Sequence, residues 1–211
     1  MTGYNIKYNG IDRLYSDYSW RLNRRAKAVW NSGQVLQGPF LQQLEEAVAI
    51  KYKRKYAVGV ASATDGLFFA MKSLGIGENH TVMCPVLSYK ATAGAIKRTG
   101  AKIQYVDTDK FGNMGDLSYK EVPDAVLYVN LFGNTAEYDR LKNYCDEHEI
   151  PLIEDAAQSQ GASYKKIPSG KLGDVSVFSF DPMKNMPSLG GGGMVLTDNE
   201  KQYKEIISLR K

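Results

Sequence analysis

Tyr56-Ala57-Val58-Gly59-Val60-Ala61-Ser62-Ala63-Thr64-Asp65-Gly66-Leu67 starts as a short apolar strand, passes small residues at 61–63, and enters a helical period that reaches Leu74. A strand with no polar face must be covered on both sides, and the helix after it is one such cover. Outward from this unit the pattern repeats. Strands are expected at 81–84, 102–106, 125–130 and 151–154, with helices at 89–99 and 136–148 between them. Short apolar strands separated by helices are the pattern of an α/β fold, a mostly parallel sheet with helices on both faces.

The end of the chain reads differently. Strands at 175–180 and 194–197 are joined by a Pro- and Gly-rich segment without helical period. A parallel crossover needs about a dozen residues and usually a helix, so these two strands are expected to be antiparallel neighbours in a mixed sheet. A last helix begins near Asn199. Ahead of the α/β core, a helical pattern covers 16–30, Gly33 breaks it, and Pro39 suits the first turn of a second helix. Phe40, Leu41, Leu44 and Val48 mark one face of that helix. The expected organisation is a helical segment over about 1–55 and an α/β core over about 56–211.

Composition bounds the function. A chain of 211 residues, 43% hydrophobic and 24% charged, is long enough for one large core without disulfides or a structural metal. The net charge is +4, and much of the excess sits in Lys51, Lys53, Arg54 and Lys55, read as solvated cations closing a helix. No aromatic ladder accompanies them, so no nucleic-acid partner is expected, although a mildly basic surface tolerates a phosphorylated substrate. The two cysteines, Cys84 and Cys145, form no framework and are read as free buried thiols in a reducing compartment. Met1 to Asn5 has no apolar leader and no stretch approaches the ~20 apolar residues of a membrane span, which points to the cytoplasm. His80 and His148 lack ligand-spaced neighbours, so no metal is expected. Gly75 to His80 begins like a dinucleotide fingerprint but lacks the third glycine and follows a helix, which counts against a Rossmann oxidoreductase.

Ligands of open α/β sheets bind beyond the carboxyl ends of the strands. After the first strand, Ser62, Ala63 and Thr64 open a helix whose N-terminus favours an anion; the plainer alternative is an N-cap by Ser62 or Thr64. Asp155 follows a buried strand and must find a cation or N–H partner, for which a protonated ring nitrogen would serve as well as a structural ion pair. Lys184 lies just past another buried strand, where desolvation can free an amine for nucleophilic work. Ser179 precedes it, and a glycine run at 190–193 follows. Tyr89 could lie over a flat heterocycle or sit in the core. Gln158 could bond a phenolic oxygen or satisfy local backbone.

In this order and with these flanks, Ser62 to Leu67, Glu154 to Gln158 with Gly161 and Ala162, Gly173 to Phe180, and the glycines leading into Met194 to Asp198 resemble the DegT/DnrJ/StrS family of sugar-nucleotide aminotransferases. The resemblance runs from about residue 15 to the end, and several linked motifs make it specific. It implies a fold-type-I large domain that binds pyridoxal 5'-phosphate, with the family's C-terminal small domain expected to be absent. Lys184 would form the Schiff base and shuttle a proton, and Asp155 would pair with the pyridinium nitrogen. Tyr89 would stack on the ring, and Gln158 would contact its phenolic oxygen. Ala63 and Thr64, together with the Ser179 hydroxyl, would hold the phosphate. The implied reaction moves an amino group from an amino acid, usually glutamate, to a nucleotide-linked keto sugar, in a homodimer. Lysine at 184, where dehydratase relatives carry histidine, favours transamination. Ala63 stands where the family normally has glycine, and Gly191 where an acidic residue is common. The alternative is a cofactor-binding or interaction protein of this family without turnover.

Overall fold

The computed structural model describes residues 7, 9–119, 121–135 and 138–211. The reading of residues 1–5, and the first two residues of the helix expected at 136–148, lie outside them. The chain divides into two units, residues 1–44 and 45–211. In the first, α1 (Ile11–Ser32) extends beyond the expected 16–30 and stops at Gly33; α2 (Pro39–Lys51) begins there at the expected proline, and its residues from Glu45 onward belong to the second unit.

The second unit carries the sheet. In chain order its elements are β1 (Tyr56–Val60), α3 (Ala63–Ser73), β2 (Thr81–Pro85), α4 (Lys90–Thr99), β3 (Lys102–Val106), β4 (Ala125–Val129), α5 (Tyr138–Glu147) and β5 (Leu152–Asp155). A small hairpin of β6 (Ser163–Tyr164) and β7 (Ile167–Pro168) comes next, then β8 (Val175–Ser179), β9 (Gly193–Thr197) and α6 (Glu200–Arg210). Seven strands form one sheet in the order β1-β9-β8-β5-β4-β2-β3. β2, β3, β4, β5 and β8 run parallel, and β9 is antiparallel to both β8 and β1. The expected antiparallel pair is therefore present, with Val175 opposite Thr197 and Ser179 opposite Gly193.

Period-2 alternation sends successive strand residues to opposite faces. One face packs Val58, Ile153 and Val177 against Leu67 and Met71 of α3, Ile96 of α4 and Ile206 of α6. The other packs Met83, Val126 and Leu152 against Leu141 and Cys145 of α5, and Phe178 and Met194 against Val48 at the end of α2. Covering both faces is what makes the central strands largely apolar, while β3 at the sheet edge keeps Lys102 and Tyr105 exposed. Cys84 and Cys145 are buried and free, and burial pushes both thiols up to about 12, which keeps them unreactive.

One polar cluster lies within this apolar interior. Glu154 is fully buried, and its carboxylate accepts from Asn130 Nδ2 (2.9 Å), Ser169 Oγ (2.9 Å), Ser176 Oγ (2.6 Å) and the N–H groups of Gly170 (3.0 Å) and Leu172 (3.0 Å). Arg54 closes the cluster by donating to Ser176 Oγ (2.8 Å), to the carbonyls of Gly170 (2.7 Å) and Gly173 (2.5 Å), and to Asp198 (3.1 Å). This corrects the reading of Arg54 as a solvated helix-end cation. α2 stops at Lys51, Arg54 lies beyond it and is 8% exposed, because the chain turns inward where five donors can find carbonyl and hydroxyl partners. Gly170, whose carbonyl accepts from Arg54, sits at a position closed to side chains: at φ 94° a Cβ would stand 2.3 Å from the Phe178 ring.

No helix of the described residues is long and apolar enough to cross a membrane. No cluster of three or more potential metal-ligating side chains occurs among them either.

Candidate active site

Because β1, β2, β4, β5 and β8 run in one direction, the segments that leave their carboxyl ends emerge at one edge of the sheet. There they surround a cavity of about 460 Å³, within the range of small-molecule and cofactor sites. All eight residues singled out in the sequence line it: Ser62, Ala63 and Thr64 after β1, Tyr89 after β2, Asp155 and Gln158 at and after β5, Ser179 and Lys184 at and after β8. β9, running the other way, brings Gly191 and Gly192 to the same wall just before it starts.

At one end of the cavity lies the first turn of α3. Ser62 is its N-cap: its Oγ accepts from Asp65 N–H (3.1 Å) and donates to the Asp65 carboxylate (2.8 Å). The cap reading therefore holds for the Ser62 side chain. The first intrahelical bond is Gly66 N–H to Ser62 carbonyl (2.9 Å), so the N–H groups of Ala63 and Thr64 have no acceptor within the helix. Two backbone donors at the positive end of a helix dipole make a seat for an anion. The strand beside it comes very close, since a Cβ on Gly193 would stand 2.7 Å from Ala63 N. Asp65, also in that turn, is neutralised by Arg98 (2.7 Å). Burial works to raise its carboxyl, but the hydrogen bonds from Arg98 and Ser62 outweigh it and leave the group below its ordinary value.

Asp155 is the last residue of β5 and is 5% exposed. Its Oδ1 accepts from Ala157 N–H (3.1 Å) and its Oδ2 from the Thr92 hydroxyl (3.2 Å). Burial pushes its carboxyl above the ordinary range. The two hydrogen bonds and the more distant Lys184 ammonium pull down, and neighbouring Glu154 pushes up again. A buried carboxylate in this condition lacks a cation of its own. Lys184, half-buried on the loop after β8, lines the same cavity, and its N–H bonds the Asp181 carbonyl (2.9 Å).

The remaining residues fix the walls. Tyr89 is 64% exposed as the N-cap residue of α4, so the core alternative for it is excluded. Gln158 Oε1 accepts from Phe132 N–H (2.9 Å), in a turn at Leu131–Gly133 where Phe132 holds a left-handed φ of 56°. Donation to a ligand from Gln158 thus falls to Nε2. Ser179 is buried and accepts weakly from Asp181 N–H (3.3 Å). Reading the sequence missed Ser88 and Thr92, whose hydroxyls stand 2.7 Å apart beside Asp155. Their signal was faint: hydroxyls four apart where a strand turns into a helix.

The cavity thus offers a carboxylate seeking a cation, a helix end seeking an anion, an amine and an exposed aromatic face. A model of the DegT/DnrJ/EryC1/StrS aminotransferase family matches residues 19–211. The chain belongs to that family. It is 35% identical over 210 residues to a dTDP-3-amino-3,4,6-trideoxy-alpha-D-glucose transaminase from Streptomyces venezuelae, covering 97% of this chain and 55% of that protein. It is 29% identical over 211 residues to a protein of Geobacillus stearothermophilus named a pleiotropic regulatory protein, covering 98% of this chain and 57% of the other. The crystal structure of NtdA from Bacillus subtilis with bound cofactor PMP superposes with a TM-score of 0.90 at 25% identity, over 99% of this chain and 48% of that one. The chain spans about half the length of the curated family relatives it matches.

Proposed function

We propose that this chain carries the cofactor half of a pyridoxal-phosphate aminotransferase that aminates a nucleotide-linked keto sugar, with glutamate as the donor. The observation that carries the reading is the shared cavity, in which Asp155 and Lys184 meet the open N-terminus of α3. These features match the three ends of one molecule: a ring nitrogen that takes a proton, an aldehyde carbon and a phosphate. When bound, that cofactor supplies the electron sink for carbanion chemistry.

The chain's own residues do the rest. Asp155 would hold the proton on the ring nitrogen, and the pair would relieve the carboxylate's uncompensated burial. Lys184 would hold the cofactor through its ε-amine, with loss of water, and, once the donor's amine has displaced it, the freed amine would move a proton to and from the substrate carbon. Ala63 and Thr64 N–H, with the Ser179 hydroxyl, would fix the phosphate, while Ser62 contributes by capping the helix. Tyr89 would cover one ring face, and Gln158 Nε2 would donate to the phenolic oxygen. Exposed Tyr89, Phe132 and Leu189 suit burial against a second copy in a homodimer, to be checked by light scattering of the purified chain. The free thiols of Cys84 and Cys145 suit the cytoplasm.

The experiment is optical. Pyridoxal phosphate added to the purified chain should give a visible absorption band that Lys184→Ala abolishes; absence of the band in the wild type would defeat the reading. A second reading, a cofactor-binding protein without turnover, is favoured by the relative named as regulatory. Transfer of one amino group from glutamate in a single-turnover assay would exclude it.

A further inference from the structure

Asp155 does not stand alone in its wall of the cavity. Thr92, in the first turn of α4 and 1% exposed, donates its hydroxyl to Asp155 Oδ2 (3.2 Å). With its one proton so committed, Thr92 Oγ can only accept from its other neighbour, Ser88 Oγ, at 2.7 Å. Ser88 is half-buried and lines the cavity. The order of donation is therefore Ser88 to Thr92 to Asp155, a chain of two hydroxyls running from the cavity wall to the buried carboxylate.

We propose that Thr92, polarised by Ser88, is the positioning residue that aims the Asp155 carboxylate into the cavity and holds it ionised for a cationic ring nitrogen. The proposal rests on the cofactor reading above. Four groups act on Asp155. From the turn after β5 comes Ala157 N–H, from α4 the Thr92 hydroxyl, from the loop after β8 the Lys184 ammonium, and from β5 itself Glu154. Ala157 fixes one oxygen and Lys184 acts only at a distance. Thr92 is thus the side chain that sets the orientation of Oδ2, and a donor there favours the charged form. Ser88 strengthens it, because a hydroxyl that accepts a hydrogen bond donates a better one.

Three variants of the full chain test this: Thr92→Val, which removes the hydroxyl at nearly constant shape, Thr92→Ser, which restores it, and Ser88→Ala. Binding of pyridoxal phosphate, followed by absorbance, should weaken about tenfold in Thr92→Val, recover to within about threefold in Thr92→Ser, and weaken about threefold in Ser88→Ala. In an Asp155→Asn background, Thr92→Val should add less than about twofold, because its effect acts through the carboxylate. Carboxyl NMR titration of Asp155 in the cofactor-free chain should give a higher pKa in Thr92→Val than in the wild type, with Thr92→Ser restoring it. Should Thr92→Val not fold, Ser88→Ala carries both readouts. Wild-type binding with an unchanged Asp155 titration and unchanged affinity in the variants overturns the proposal and leaves the aminotransferase reading standing. Failure of the wild type to bind pyridoxal phosphate overturns both.

Discussion

Glu154 and Asp155 are consecutive residues of one strand, both buried, yet their surroundings are opposite. Alternation along β5 sends Glu154 into the polar cluster with Arg54, where side-chain and backbone donors surround its two oxygens. Asp155 faces the cavity and accepts from one N–H and one hydroxyl. A carboxylate that holds a fold together is supplied with partners by the fold. Asp155, the carboxylate proposed to meet a ligand, is left short of one, and its carboxyl is raised by burial. Two acidic residues adjacent in the chain thus sit in opposite surroundings.

The sharpest way to break this comparison is to remove each carboxylate. Glu154→Ala leaves several buried donors without acceptors, so urea unfolding should show a loss of about 3–5 kcal/mol, with or without cofactor. Asp155→Asn should do the reverse. It should leave the cofactor-free chain as stable at pH 7, or more so, and weaken pyridoxal phosphate binding by about 1.5–3 kcal/mol, read by titration. The pH dependence has a definite sign. With the folded carboxyl of Asp155 raised above its unfolded value of about 4, the stability it contributes is present below that value. That contribution is lost as pH rises through the folded value, and unfolding curves of Asp155→Asn should lack the loss.

Two smaller perturbations sharpen the anion end. Gly193→Ala places a Cβ against Ala63 N and Ser62 C, both at 2.7 Å, so β9 and α3 must part. A loss of about 1–3 kcal/mol in thermal unfolding is expected, with weaker cofactor binding because the same N–H groups shift. Ser62→Ala removes only a cap and should cost about 1 kcal/mol of stability. If it instead abolishes cofactor binding while stability holds, Ser62 is a ligand rather than a cap.

Much of this molecule was legible in the sequence because the relevant signals are local. β1, β4 and the antiparallel pairing of β8 with β9 follow from apolar runs and from a Gly-rich connection too irregular for a crossover helix. The eight candidate residues line one cavity because strand ends converge at one edge of a parallel sheet, a rule of topology more than of any residue. What escaped depends on contacts distant in the chain. Arg54 sits in a run of basic residues, and nothing in the run marks one of them as buried; its partners are residues 170, 173, 176 and 198. Thr92 escaped likewise, since its role is set by a residue 63 positions away. The hairpin of β6 and β7 was missed because two-residue strands carry no period.

The central claim is that the amine at 184 and the carboxylate at 155 serve one flat, aldehyde-bearing ring. Borohydride reduction of the chain incubated with pyridoxal phosphate, followed by peptide mass spectrometry, tests it most directly. The account predicts a pyridoxyl group on Lys184, markedly reduced in yield in Asp155→Asn. A modification spread over surface lysines with Lys184 untouched would contradict it.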